Sequence, residues 1–365
     1  MNIPLSQQEF TIKLNSLRTA LASQGYDGIV LSHQSNVAWL TGMRAHVNYA
    51  TEIAVVSLVI TMEQTFSVAA SNEIRRLQEE EASNLELEWV DFPWTTPNAR
   101  TGLINDLLAS SCHCPTNDTI SSTIMMSLRT VLNNYEQQRV RLIGQHVARA
   151  LDNTCASIEP GQSEFDIASM ISAELIRTSL EPVVVLVGAD ARAETRPHPL
   201  PTTAILNKFA TISVSARGNG LVVSSTRQIA FGEVSSSVLM DFQRVSRIAA
   251  MLFAMSRPTT TFANLWNRLV EEYSLLKHDE EWMRHHQGGL AGYLPRESLL
   301  LPGSPVTLTP GNVVAFNPTI GPWKSEDTAI VTDSGVELVT QSEHYPGFYV
   351  EVDGISIWRP SVLLR

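Results

Sequence analysis

The chain has 365 residues, of which 44% are hydrophobic and 17% charged, and its formal net charge is −11. That length exceeds one ordinary core, so the balance describes two globular, soluble domains. The acid excess excludes a nucleic-acid backbone as partner, since binding one needs a basic face.

Ser6-Gln-Gln-Glu9 has the form of a capping box, and Phe10, Leu14, Leu17 and Leu21 follow at helical spacing, so a helix opens the chain. Gly25 ends it, Asp27-Gly28 turns, and Ile29-Val-Leu31 begins a buried strand. Further strands are expected over 54–60, 65–69 and 85–92, with a charged helix over 72–82 between the last two. Residues 1–134 therefore form an α/β domain. A long helix over 135–157, with Val140, Ile143, Val147, Ala150 and Leu151 on one face, opens a second domain, 135–365. Pro160-Gly161 breaks the chain and Ser163-Glu-Phe-Asp166 caps the next helix. A strand follows over 182–187. Phe262, Leu265, Trp266, Leu269, Val270 and Tyr273 form the core-facing stripe of another helix, and the remainder is β-rich over 313–316, 329–332, 336–340 and 349–358.

No stretch is long enough to span a membrane: the most apolar, 53–60, is far short of the roughly 20 residues required. Met1-Asn-Ile-Pro-Leu-Ser6 lacks the basic start and apolar core of a signal peptide. Cys112, Cys114 and Cys155 are odd in number and without framework spacing, which points to a reducing, cytoplasmic compartment.

Asn219-Gly220, between two runs of alternating apolar and small residues, is a strong hairpin signal. Three polar clusters stand out from the surrounding apolar sequence and are taken as walls of one site with that hairpin: Arg196-Pro-His-Pro-Leu-Pro-Thr202, His285-His-Gln-Gly-Gly289 and Lys324-Ser-Glu-Asp-Thr328.

Asp27-Gly-Ile-Val-Leu31, Ser35-Asn36 and Trp39-Leu-Thr-Gly42 together resemble the N-terminal domain of the creatinase, prolidase and aminopeptidase P family. Pro160-Gly-Gln-Ser-Glu164, His198-Pro199, the hairpin, His285-x-x-Gly288, Leu308-Thr-Pro-Gly311 and Ser325-Glu-Asp-Thr328 resemble, in order, its pita-bread catalytic domain. The resemblance implies a creatinase-type α/β domain followed by a pita-bread domain, a homodimer, and a small-molecule or short-peptide substrate. It also implies a dinuclear centre held by two hairpin aspartates, one histidine and two glutamates. Here the matching hairpin positions are Ser213 and Ser224, and the strand after Pro310-Gly311 carries Asn317 where a glutamate is expected. His285 or His286, with Glu326, is what remains. Hydroxyls and amides bind divalent ions poorly, so no metal and no other cofactor is expected.

Within that resemblance His198 is the expected general acid/base, its loop stiffened by prolines on both sides. One of His285 and His286 is expected to face the site beside glycines that allow close backbone approach. Glu326 is expected to accept from a substrate N–H or to share proton transfer with a histidine. Glu297 is a second candidate acid, with an Arg296–Glu297 surface pair as the plainer reading. Arg192, Arg196, Arg217 and Arg227, near the same loops, suggest recognition of a carboxylate or phosphate, and Asn317 is expected to contact substrate. The leading expectation is a metal-independent, creatinase-like hydrolase of an amide or amidine C–N bond. The alternatives are an Xaa-Pro aminopeptidase or dipeptidase using Mn or Zn, and a catalytically inactive pita-bread binding protein.

Overall fold

A computed structural model describes residues 3–110 and 112–365; Met1 and Asn2, where the signal-peptide reading begins, lie outside them. The chain divides into two compact units, one essentially 2–130 and the other 131–365, with residues 219–221 grouping with the first.

The N-terminal unit runs α1 (Gln7–Ser23), β1 (Gly28–His33), α2 (Gln34–Thr41), β2 (Ile53–Thr61), β3 (Thr65–Ala70), α3 (Ile74–Arg76), β4 (Glu88–Phe92), α4 (Ala99–Ala109), β5 (Pro115–Asn117) and α5 (Ser122–Thr130). Its sheet has the order β4-β3-β2-β1-β5, antiparallel across β3-β2-β1 and parallel at both edges. Ser6 caps α1 by accepting from the Glu9 N–H, and Leu17 and Leu21 are fully buried beneath it. The charged helix expected over 72–82 shortens to α3 and one wider turn, Leu77–Glu81, since that segment buries only Leu77 and the small Ala82 at its end. Its acid end is tied down instead by charge, with Glu81 paired to Arg44 at 2.7 Å.

The C-terminal unit opens on α6 (Asn134–Ser157), which starts with a reciprocal capping box between Asn133 and Glu136, and continues with α7 (Glu164–Arg177), which has the expected box between Ser163 and Asp166. There follow β6 (Glu181–Ala189), the single turn α8 (Ala191–Thr195), β7 (Phe209–Gly218), β8 (Leu221–Ala230), α9 (Ser236–Met255) and α10 (Phe262–Leu275). The remaining strands are β9 (Gly288–Ala291), β10 (Ser298–Leu299), β11 (Val313–Phe316), β12 (Thr319–Ile320), β13 (Trp323–Lys324), β14 (Asp327–Val331), β15 (Val336–Leu338), β16 (Gly347–Val352), β17 (Ile355–Pro360) and β18 (Leu363–Leu364). Two sheets carry the site, one ordered β18-β8-β7-β6 and the other β10-β9-β11-β14-β15. Asn219 and Gly220 both have positive φ, 49° and 81°, as the two-residue turn between β7 and β8 demands.

The α9 helix was not read from the sequence; its first turns are amphipathic, and its last, 248–254, are buried on every side. It is central to this unit: Ile248, Met251, Leu252 and Phe253 are fully buried in the core that also takes α10 and β11. Beside that core lies a buried ionic ladder. Asp327 pairs with Arg227 at 3.0 Å and with Arg359 at 2.7 Å, and all three side chains are shut off from solvent. Backbone and side-chain bonds then lock β8 to the β14 region, with Thr226 N–H on the Glu326 carbonyl at 3.1 Å and Ser224 N–H on Thr328 Oγ1 at 3.0 Å. The two sheets are thereby held together, and side chains of both open into one cavity.

Candidate active site

Glu164 positions the loop that carries His198. Its buried carboxylate accepts from the Ala189 N–H, from Arg192 Nε and from the N–H and hydroxyl of Thr202, so both ends of the loop close on one anchor. Pro199 is buried, and its carbonyl accepts from the Val187 N–H at 3.0 Å. His198, next to it, is left exposed at the cavity.

His285 and His286 reach the same place from the other sheet. Their loop is held by Gln287, whose amide donates to the His285 carbonyl at 2.6 Å and accepts from the Tyr273 hydroxyl at 2.9 Å. Gly288 follows with φ 102°, and an added Cβ there would meet the Ala315 carbonyl oxygen at 2.1 Å. Only glycine permits β9 to approach β11 this closely just after the two histidines.

The three imidazoles form one cluster. Nε2 of His198 lies 3.0 Å from Nε2 of His285, so one ring donates to the other, and His286 is stacked on His285 with ring centres 4.4 Å apart. Burial, reinforced by Lys324, depresses the pKa of His285 to about 2; burial and Arg296 bring His286 to about 4. His198 is lowered in the same sense, first by burial and then by Lys324. At neutral pH all three are uncharged bases.

Opposite them stands an ionic knot. Glu326 Oε2 lies 3.0 Å from Lys324 Nζ and accepts from the Thr226 hydroxyl at 2.6 Å, while Oε1 accepts from Arg296 Nη2 at 3.0 Å. Burial alone pushes this carboxyl up, but Lys324 and Arg296 overcome it and bring the pKa down to about 2. Ser213 Oγ is 3.4 Å from Lys324 Nζ and 2.7 Å from Thr226 Oγ1; Ser224 bonds Ser215 at 2.8 Å. The cavity between, about 210 Å³, is lined by His198, His286, Ser213, Ser215, Asn317, Arg296, Lys324, Glu326 and apolar residues of β6 and β7.

Several sequence expectations need correcting. The four arginines do not converge: Arg192 is paired with Glu164, Arg217 with Glu181 and Arg227 with Asp327, and Arg196 is an exposed side chain at the rim of a smaller neighbouring cavity. Each partnered guanidinium closes a local structural pair rather than facing a ligand. Arg296 and Glu297 are not a surface pair. Arg296 turns into the site, and Glu297 accepts from the Tyr293 and Leu294 N–H groups at 3.0 and 3.2 Å, closing the turn before β10. Glu326 has both oxygens committed and a strongly depressed pKa, so it holds charge and does not shuttle protons. Of the histidine pair, His286 lines the cavity while His285 is buried behind it and stacked on it. Asn317 lines the cavity with its buried Oδ1 unpartnered. Lys324, placed by the sequence in a wall of the site but given no role of its own, contacts Glu326 and Ser213.

Residues 138–339 match the profile of metallopeptidase family M24. The chain belongs to that family. Residues 13–149 match the creatinase/prolidase N-terminal domain. The probable dipeptidase PepE of Mycobacterium tuberculosis is 23% identical, covering 93% of this chain and 98% of the relative. Among solved structures, the prolidase of Pyrococcus horikoshii superposes with a TM-score of 0.76 at 15% identity, covering 91% of this chain and 99% of that one. Dipeptidase PepE of Mycobacterium ulcerans gives 0.74 at 18% identity, covering 97% of each. The mixed α/β architecture, with a pita-bread domain following a creatinase-type domain, is thus that of M24 proteins. Because these relatives are named dipeptidases and prolidases, the peptidase reading is better supported than the creatinase-like one.

An M24 site implies metal, and the residues here do not fit a dinuclear one. Two ions close together need several free carboxylates. Glu326 is the one carboxylate lining the cavity among the described residues, and two side-chain cations already neutralise it. The three histidines are the one cluster of metal-type donors among the described residues. Ligating histidines ordinarily donate their second ring nitrogen to an outer partner, yet Nδ1 of both His285 and His286 is buried without one.

No helix among the described residues is long and apolar enough to cross a membrane. All three cysteines are unpaired.

Proposed function

We propose that this chain hydrolyses a peptide-type C–N bond in a substrate of about dipeptide size, with imidazole doing the work that paired ions do in a metallopeptidase. The observation that carries the proposal is the 3.0 Å contact between His198 and His285, an exposed base seated on a buried neutral one at a cavity of about 210 Å³. His198 takes a proton from water as the water oxygen adds to the substrate's carbonyl carbon. Negative charge on the carbonyl oxygen then meets the positive potential of Lys324 in a partly desolvated site. As the C–N bond breaks, its electron pair stays on nitrogen, and the imidazolium returns the proton there. His285 orients His198, and Glu326 fixes Lys324 and Arg296.

The test is turnover of a panel of dipeptides and small amides by protein treated with chelator. Retained activity that collapses in His198→Ala supports the proposal. Activity that disappears on chelation and returns with Mn or Zn supports a second reading, a metal-dependent Xaa-Pro dipeptidase, which the relatives' names and the three-histidine cluster favour. Binding without turnover across the panel supports a pita-bread binding protein. A cytoplasmic setting, in keeping with three free thiols, and a homodimer belong to the same proposal; light scattering of the purified chain reads the latter.

A further inference from the structure

The charges lining the cavity do not balance. Two cations, Lys324 and Arg296, face one carboxylate, Glu326, and both oxygens of that carboxylate are already engaged. The imidazoles favour the neutral form at neutral pH, His285 and His286 because they are desolvated and His198 because partial desolvation and Lys324 lower its pKa. The smaller cavity on the other side of Lys324 does not reverse the sign. Arg196 and Arg284 line it against Glu194, with Arg284 also held by Glu281 at 3.2 Å. An uncompensated positive charge in a half-enclosed site favours a ligand that brings one negative charge, and opposes one that brings a cation.

The unpartnered polar atoms point the same way. Asn317 Oδ1 is a buried acceptor and Arg296 Nε a buried donor, and both side chains line the cavity. Lys324 Nζ has contacts with Glu326 and Ser213, leaving a third N–H for a ligand. An amide N–H, an amide carbonyl and a carboxylate complement that set. A free α-ammonium does not, because the cavity holds no carboxylate with an oxygen to spare.

We infer that the site selects small N-acylated amino acids, net monoanions without a free ammonium, over zwitterionic dipeptides of the same size. For the reaction that follows binding, this rests on the hydrolase reading; the selectivity itself rests on the charges of the cavity. The Ser213 position is the sensitive point. An aspartate there would lie beside Lys324, neutralise the cavity and supply the acceptor that an ammonium needs.

Calorimetric titration of the intact chain with N-acetyl-L-alanine and with L-alanyl-L-alanine tests this without requiring turnover. The acetylated compound is expected to bind at least about tenfold more tightly, and Lys324→Met to lose that binding. Ser213→Asp, checked for an unchanged melting profile, is expected to narrow or invert the preference. Equal or tighter binding of the dipeptide, or no binding of either compound, overturns the inference. Chromatographic detection of free alanine separates the two claims. Tight binding of the acetyl compound without its cleavage leaves the selectivity standing and removes the hydrolase reading. Cleavage of dipeptides alone does the reverse.

Discussion

Lys324 Nζ and Glu326 Oε2 stand 3.0 Å apart, with the ammonium also 3.4 Å from the hydroxyl of Ser213, one of the two hairpin positions that resemble lost metal ligands. A covalently attached cation therefore lies where the family resemblance would place an exchangeable one. It cannot be chelated, but it carries a single charge and cannot bridge two carboxylates. At the three positions where the resemblance implies carboxylates, Ser213, Ser224 and Asn317 are neutral side chains, which suits a pocket whose cation is a lysine rather than a pair of divalent ions.

Metal content follows directly. Protein purified without added metal, dialysed and measured by plasma mass spectrometry, is expected to hold Mn, Zn, Co and Fe well below one equivalent per chain. Chelator should leave both turnover and melting temperature unchanged. Stoichiometric metal that resists dialysis would sink the account of the ionic knot.

Removing the imidazole at the cavity should affect rate far more than folding. His198 is exposed and its loop is anchored through Glu164 and Pro199, so His198→Ala is expected to cost no more than about 1–2 kcal/mol, chiefly the bond to buried His285, while lowering kcat by roughly 10²–10⁴-fold. The active form is the neutral ring, and its pKa lies below the ordinary histidine value. The rate should therefore hold its plateau to pH values more acidic than about 6.5 and decline only as the ring finally protonates. A rate that already falls as pH drops through 7 argues that a different base is at work.

How much of this was legible beforehand depended on whether a residue's partner was near in sequence. Capping at Ser163, the turn at Asn219-Gly220 and the period-two strands are local signals, and each folds as read. That His198, Glu326 and the His285-His286 pair come together, with His286 at the cavity and His285 against His198, was legible from motif order, which carries tertiary information that periodicity does not. The arginines failed for the complementary reason. Arg192 and Arg217 find Glu164 and Glu181, 28 and 36 positions away, and nothing in a single sequence announces such pairs. The pairing of Lys324 and Arg296 with Glu326 is equally hidden in sequence, where Lys324 carries no role of its own and Arg296 stands next to Glu297.

Charge in this knot should also govern acid stability. The unfolded carboxyl of Glu326 titrates near 4.5 and the folded one at about 2, so its contribution is fully present above 4.5 and is lost as pH falls toward 2. His285 adds a loss of the same sign that starts higher: unfolded it takes a proton below 6.5, whereas folded it resists protonation down to about 2. Denaturant titrations from pH 7 to 3 should show stability falling throughout. Glu326→Gln is expected to cost about 3–5 kcal/mol at neutral pH by leaving two buried cations uncompensated, and to flatten the part of the slope below 4.5. An unaltered slope in that variant would remove Glu326 from the account.

The backbone beneath the histidines offers a test that involves no charge. At Gly288 an added Cβ would lie 2.1 Å from the Ala315 carbonyl oxygen and 2.6 Å from Phe316 Cα, with φ at 102°. Both obstacles are backbone in the middle of a sheet, so neither can move without separating β9 from β11. Gly288→Ala is expected to destabilise by about 2–4 kcal/mol through strain and overpacking. Because His285 and His286 lie immediately before this residue, turnover should fall even in the folded fraction. Gly321→Ala serves as the comparison, with φ 55° but open space around it, and should cost only about 1 kcal/mol of backbone strain. Denaturant midpoints and kcat for the two variants decide the matter. Equal effects would mean that close approach of the strands is not what aims the imidazoles.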